Sequence, residues 1–264
     1  MAMDSVKAAD RTLDLLEAFA RIKEPLSLSE LARQLGCPVS SCHGLIRTMK
    51  GRGYLYLLQH RRRYYPTRRL LEIGAEIAAH DPLVERLVPT LEALRARTEE
   101  TVIVGHRQDD EIVYLHVLEG PQHIRYAASP GDRKPLHSSA LGKAFLGVLD
   151  DPALAALLEG LPLRRITPAT ITQPDELMAD VQRSRRRGYF VTRGENVPDV
   201  SAVARTVVVE SETLGVCVAG PTHRMKPRVA ELGEVLVEAV TSPGLQMEGG
   251  DGRGAISRDS RRRA

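Results

Sequence analysis

The 264-residue sequence predicts an α+β protein in two domains, a small helical one with a hairpin end and a larger one built on an antiparallel sheet. Three observations carry that prediction. Residues 26–50, LSLSELARQLGCPVSSCHGLIRTMK, read as two short helices around a tight turn. Beyond Thr101 the apolar spacing changes from three-to-four to alternation, in short runs broken by polar turns. Charge is also unevenly spread: residues 1–80 hold 13 Lys+Arg against 8 Asp+Glu, and residues 81–246 hold 19 against 23, although the whole chain is only +3. The implied boundaries are a first domain over 1–66, a linker helix over 67–80, a second domain over 81–246 and a disordered Gly-, Arg- and Ser-rich tail over 247–264.

In chain order, Val6, Ala9, Leu13, Leu16 and Ala20 mark an opening amphipathic helix. Ser27 and Glu30 have the spacing of a capping box, and Leu26 and Leu31 that of a hydrophobic staple around it. Gly36 stops this helix and Pro38 suits the start of the next. In that helix Val39, Cys42, Ile46 and Met49 share a face expected to pack inward, while Ser40, Ser41, His43, Gly44 and Arg47 face out, and Gly51 ends it. Tyr54–Leu58 and Arg63–Pro66 then read as two strands around a turn at Gln59–Arg62.

Two helices, a turn and a basic hairpin form the outline of a winged helix-turn-helix, which sets one helix in the major groove of DNA. A helical hairpin inside an ordinary core has the same outline. Charge separates the two readings. From Leu45 to Leu70 the run holds Arg47, Lys50, Arg52, Arg61, Arg62, Arg63, Arg68 and Arg69 with no acidic residue among them. A solvated helix face normally interleaves the signs, whereas a one-sign stretch suits neutralisation by phosphates. Ser40, Ser41, His43 and Arg47 are thus the expected contacts to bases or adjacent phosphates, with Lys50, Arg52, Arg61, Arg62 and Arg63 on backbone or minor groove. The partner would be a double-stranded DNA operator. In an alternative reading the chain is a small-molecule-binding scaffold whose basic first domain docks a protein.

Thr67 is placed to cap a helix carrying Leu70, Leu71, Ile73 and Ile77, whose spread around the axis suggests more than one neighbour and a dimerising role. Asp81-Pro82 starts another, with Val84, Leu87, Leu91 and Leu94 at helical spacing. Strands are expected over Thr101–Gly105, Ile112–Leu118 and His123–Ala128. Helices follow over Ala140–Leu149, Pro152–Leu158 and Pro174–Arg187, then strands over Tyr189–Thr192, Val200–Val209 and Leu214–Ala219, and a closing helix over Pro227–Val240.

Enzyme chemistry finds little support. Gly142-Lys143 is followed by Ala144 where a phosphate loop needs Ser or Thr, and no serine sits in a G-x-S-x-G elbow. His106, His116 and His123 lack metal-ligand spacing, so no metal and no cofactor is expected. Cys37, Cys42 and Cys217 suggest no disulfide framework and read as small core residues in a reducing cytoplasm, the expected location given no membrane-span pattern and no signal-peptide core.

Four motifs in order, SLSELARQLGCPVSSCHGLIRTM, PLHSSALGKAFL, RGYFVTRGEN and VCVAGP, resemble the IclR family of bacterial transcriptional regulators, over essentially Val6 to Leu245. The resemblance implies a winged helix-turn-helix joined to a GAF- or profilin-like sensor domain. It implies a homodimer or homotetramer, a dimer of dimers, on a roughly palindromic operator, acting as a repressor that responds to a small effector, an organic or aromatic acid. Carried over, the effector pocket would be bordered by Ala140, Leu141, Thr192, Glu195, Val200, Ala202, Cys217 and Ala219. Small residues there leave room, and the start of the Ala140 helix favours an anionic group. Departures from the family pattern are Gly44 in place of a basic residue, Thr192 and Ala219 in place of an acid and a serine, and Asp199 in place of a glycine.

Overall fold

The computed structural model describes residues 6–242, and the expected disordered tail lies outside them. The chain divides into two compact units, Met1–Asp81 and Pro82–Ala264, so the linker helix belongs to the first.

In the first unit, α1 (Lys7–Ile22) precedes a two-residue strand β1 (Leu26–Ser27), then α2 (Leu28–Gln34), α3 (Val39–Gly51), β2 (Leu55–Leu58) and β3 (Arg63–Pro66). The capping box forms: the Ser27 N–H donates to Glu30 Oε2 at 2.8 Å and the Glu30 N–H to Ser27 Oγ at 3.3 Å. Leu26 and Leu31, the staple pair, are buried. Gly36 takes the left-handed conformation, with φ +55°. α3 runs through Gly51, and the left-handed residue that follows is Gly53, at φ +81°. Strand order is β1-β3-β2, antiparallel throughout.

Two details depart from the sequence reading. In α1 the buried residues are Leu15, Ala18 and Phe19, while Val6, Ala9, Leu13 and Ala20 are exposed; the aromatic ring of Phe19, packed edge-on to Tyr65, sets the inward face. Val39 is 51% exposed while Cys42, Ile46 and Met49 are buried, because Val39 is the first residue of α3 and projects beyond the helix pair. The unit ends in α4 (Arg69–Ala79), which has no buried residue. Leu71 and Ile77 are 70% and 69% exposed while Leu70 and Ile73 are half-buried, so only part of the apolar surface of this helix is covered.

The second unit opens with α5 (Pro82–Thr98) and strands β4 (Thr101–Gln108), β5 (Glu111–Leu118) and β6 (Arg133–Pro135). Helices α6 (Ala140–Leu146), α7 (Asp151–Gly160) and α8 (Pro174–Arg187) follow. Then come β7 (Phe190–Arg193), β8 (Val200–Val209), β9 (Glu212–Pro221), α9 (Thr222–Met225) and α10 (Val229–Thr241). The sheet is antiparallel, in the order β6-β5-β4-β9-β8-β7. The strand expected over His123–Ala128 does not form. That segment is tied down by Arg125, which donates to Glu119 at 2.7 Å, and by the Tyr126 carbonyl, which accepts from Thr101 Oγ1 at 2.6 Å. The edge position goes instead to Arg133–Pro135.

The two sheet faces differ because side chains alternate along each strand. One face, with Val102, Val104, Val203, Val216 and Val218, packs on α5 and α10. The other carries Gly105, Ala202, Ala204, Gly215, Cys217 and Ala219 and receives α6. Close approach is the reason for the glycines. A Cβ on Gly105 or Gly215 would stand 3.0 or 2.6 Å from the Leu141 side chain, and one on Gly142 would meet the Leu136 carbonyl oxygen at 2.2 Å.

Candidate functional site

Two sites emerge, one in each unit. In the first, Ser40, Ser41, His43, Arg47 and Lys50 on α3, with Arg52, Arg61 and Arg62 beyond it, are all exposed. Among the described residues Arg47, Lys50, Arg61 and Arg62 carry no ion pair. Arg52 stands 5.9 Å and Arg69 5.3 Å from the centroid of the Tyr54 ring, so these two guanidinium groups share one aromatic platform. A single 3₁₀ turn, Gln59–Arg61, makes the hairpin tip, closed by Arg62 in the left-handed region at φ 47°. Arg63 differs from its neighbours. Its guanidinium donates to the Pro25 carbonyl at 2.8 Å and pairs with Glu30 at 2.9 Å, so it buttresses the α2 cap rather than extending from the tip. Glu30 is held below the usual carboxylate range by the Ser27 N–H, then the Ser27 hydroxyl, with Arg63 adding to both.

In the second unit a narrow cleft opens beside α6 on the small-residue face. Thr192, Ala202 and Ala219 are adjacent in register across β7, β8 and β9 and line one row of it. Ala140, Leu141, Val200 and Cys217 also line it, so seven of the eight expected pocket residues converge. The eighth, Glu195, does not reach the lining. The sequence reading missed Tyr114, Tyr126, Ser139, Asn196 and Val197. Tyr114 was recoverable, since it shares the alternating face of Ile112; Tyr126 sits in an irregular segment with no period to reveal it. Burial, then the neighbouring Tyr126 and Cys217, raises the Tyr114 hydroxyl, which keeps its proton. Ser139 caps α6 by accepting the Gly142 N–H at 3.0 Å. Among the described residues no Lys, Arg or His lines the cleft, so an acidic ligand would meet hydroxyls and an amide instead of a cation.

Sequence models of known families match both units. The IclR helix-turn-helix domain covers residues 8–58, and the C-terminal domain of bacterial transcriptional regulators of the IclR type covers residues 75–243. The chain belongs to the IclR family. The HTH-type transcriptional regulator BhcR of Paracoccus denitrificans is 30% identical to it over 237 residues, which is 89% of this chain and 85% of that protein. The transcriptional repressor IclR of Escherichia coli is 28% identical over 243 residues, 90% of this chain and 89% of the repressor. Among solved structures, Thermotoga maritima IclR superposes with a TM-score of 0.70 at 25% identity, covering 88% of this chain and 95% of that one. An IclR homologue of Microbacterium hydrocarbonoxydans complexed with 4-hydroxybenzoate shares the fold at 22% identity and a TM-score of 0.71, covering 90% and 97%.

This IclR-family regulator also buries an ionic cluster that sequence spacing did not reveal. Lys143 on α6 is fully buried, its ammonium 2.8 Å from Asp180 on α8 and 2.6 Å from Glu195. Burial raises the Glu195 carboxyl above its ordinary value, and Lys143 pulls it back. Leu141 on α6 and Asn196 beside Glu195 line the cleft, whereas Lys143 and Glu195 themselves do not. His137, whose Nε2 meets the Arg164 carbonyl at 2.9 Å, is held below its ordinary pKa by burial.

Proposed function

We propose that this DNA-binding transcriptional regulator is a repressor that sits on a roughly palindromic operator as a dimer or a dimer of dimers and responds to a small organic effector. One observation carries the DNA contacts: apart from Arg63, the cations of α3 and the wing stay exposed, and among the described residues Arg47, Lys50, Arg61 and Arg62 carry no ion pair. In this reading Arg47 meets a guanine edge or a phosphate. Ser40, Ser41 and His43 contact bases or adjacent phosphates, and Lys50, Arg52, Arg61 and Arg62 neutralise backbone. Arg63 is left out because Glu30 and Pro25 hold it. Val39, exposed at the start of α3, adds an apolar group suited to a thymine methyl. The exposed Leu71 and Ile77 on α4 suit a second copy of the chain. The place of action is the cytoplasm, where the DNA lies.

The effector reading rests on the convergence of the expected residues around one cleft. Two tyrosines and an alanine row favour a small ring compound, and a carboxylate on it would be hydrogen-bonded by Thr192, Asn196 and the phenols. The 4-hydroxybenzoate bound by a fold neighbour makes it a reasonable first probe. Footprinting of the region upstream of its own gene tests the DNA half; a salt-insensitive or absent footprint rejects it. A thermal-shift screen of aromatic and aliphatic acids, run beside Ala219→Leu, tests the sensor half. Ligands of the cleft stabilise the wild type by mass action and lose that effect in the filled variant.

A further inference from the structure

The two helices of the reading motif begin alike. A residue just before the cap and one four places into the helix stand one turn apart on the same side, where they pack together. In α2 these are Leu26 and Leu31, around the Ser27 cap; in α3 they are Cys37 and Cys42, around Pro38. Cys42 is 1% exposed, and Cys37 is half-buried against the same core. The inner thiol makes a weak polar contact to the Leu28 carbonyl at 3.9 Å. Burial pushes the Cys42 thiol up to about 11, and the adjacent Cys37 thiol adds to the shift. One thiol thus lies open to solvent on one side with a second, buried, sulfur behind it, at the start of the helix that presents Ser40, Ser41 and Arg47.

We propose that Cys37 and Cys42 are a peroxide-oxidisable pair whose disulfide takes the first turn of α3 out of its DNA-reading conformation. The Cys37 thiolate attacks one oxygen of hydrogen peroxide and breaks the O–O bond. Its sulfur becomes a sulfenic acid, and the departing hydroxide takes up the thiol proton as water. The Cys42 sulfur then attacks the Cys37 sulfur, forming the S–S bond and displacing hydroxide, which leaves with the Cys42 proton as a second water. Two thiols and one peroxide give one disulfide and two waters. Exposure sets the order, the outer sulfur being oxidised first and the inner one resolving it. The ring so closed contains Pro38, whose φ is fixed, so the strain falls on the first turn of α3, Val39 to Cys42. A strained bridge is also easily reduced, which makes the change reversible. The loss of DNA binding rests on α3 being the reading helix; formation of the bond does not.

The test uses the full-length reduced protein, exposed to hydrogen peroxide, alkylated under denaturing conditions and cut with trypsin. Both cysteines fall in the peptide Gln34–Arg47, which should lose two hydrogens and resist alkylation, while the buried Cys217 is alkylated normally. Oxidation should weaken protection of the upstream duplex about tenfold, the size of one lost base contact, and dithiothreitol should restore it. Cys42→Ala should stop at a dimedone-reactive sulfenic acid on Cys37 and keep its DNA protection after peroxide. Absence of the Cys37–Cys42 bridge, or equal oxidation of Cys217, overturns the thiol pair. Complete bridging with unchanged protection overturns the switch. A reduced protein that protects no duplex refutes the DNA reading alone, since the peptide mass still decides the pair.

Discussion

The ammonium of Lys143 stands 2.6 Å from the Glu195 carboxylate, with the lysine side chain wholly shielded from water. Asp180 completes the cluster at 2.8 Å and is itself only 21% exposed. Removing the cation strands the Glu195 carboxylate in a low-dielectric interior, while Asp180 keeps Arg183 at 3.2 Å, and a stranded charge is costlier than the net worth of the cluster when intact. Lys143→Met should therefore lower stability by about 3–5 kcal/mol in urea unfolding. Adding Glu195→Gln should return part of that loss, because the stranded charge disappears. A single variant within about 1 kcal/mol of the wild type would show that water reaches the cluster and solvates it.

Arg47 and Arg62 should separate specific from general binding. Arg47→Ala should cost about 1–3 kcal/mol on the operator and less on unrelated duplex. Arg62 is best tested as Arg62→Gly, because its φ of 47° penalises a side chain and glycine adopts it freely. That variant should keep or slightly gain stability while binding weakens on every sequence. The slope of log K against log salt should fall by about 0.9 for the lost phosphate contact. Equal footprints for wild type and both variants would mean the DNA lies on another surface.

Acid should act on the first unit through Glu30. Its pKa lies below the ordinary 4.5 in the folded chain, first through the Ser27 N–H. A depressed carboxylate stabilises fully above its unfolded value and loses that contribution as pH falls through the folded one. Urea midpoints of wild type and Glu30→Gln should differ near neutrality and converge below pH 4.5, the loss growing as the carboxylate takes up its proton. A gap that stays constant with pH would place the effect on shape alone.

Much of this was legible in the sequence, for physical reasons that differ by site. The cap at Ser27 and Glu30, the left-handed Gly36 and the basic tip are local signals, complete within a few residues, and they fold as read. The cleft residues on β7, β8 and β9 follow from strict alternation, so a motif match could place them on one face. The Lys143 cluster joins α6, α8 and the segment after β7, and no spacing rule reaches across 37 residues to Asp180. Arg63 shows the converse error: a run of like charges conceals the one member turned inward, because its partner Glu30 lies 33 residues earlier. Tyr126 entered the cleft by way of a segment held through Thr101, where alternation predicts a strand.

Gly44 offers the sharpest separation of folding from recognition. It lies inside α3 with no atom within 4 Å of where a Cβ would stand, so packing in the free protein does not require glycine. Glycine in a helix interior costs about 1 kcal/mol relative to alanine, chiefly through the entropy of the unfolded chain. Gly44→Ala should therefore stabilise the first unit by roughly that amount. The glycine is explained if α3 brings its backbone against the groove at this point, since the added methyl would then meet a base edge or phosphate. Operator affinity should fall while stability rises, measured on one preparation by urea unfolding and by footprint titration. A variant that gains stability and binds as before would remove Gly44 from the interface and leave Arg47, one turn further on, to carry the groove contact.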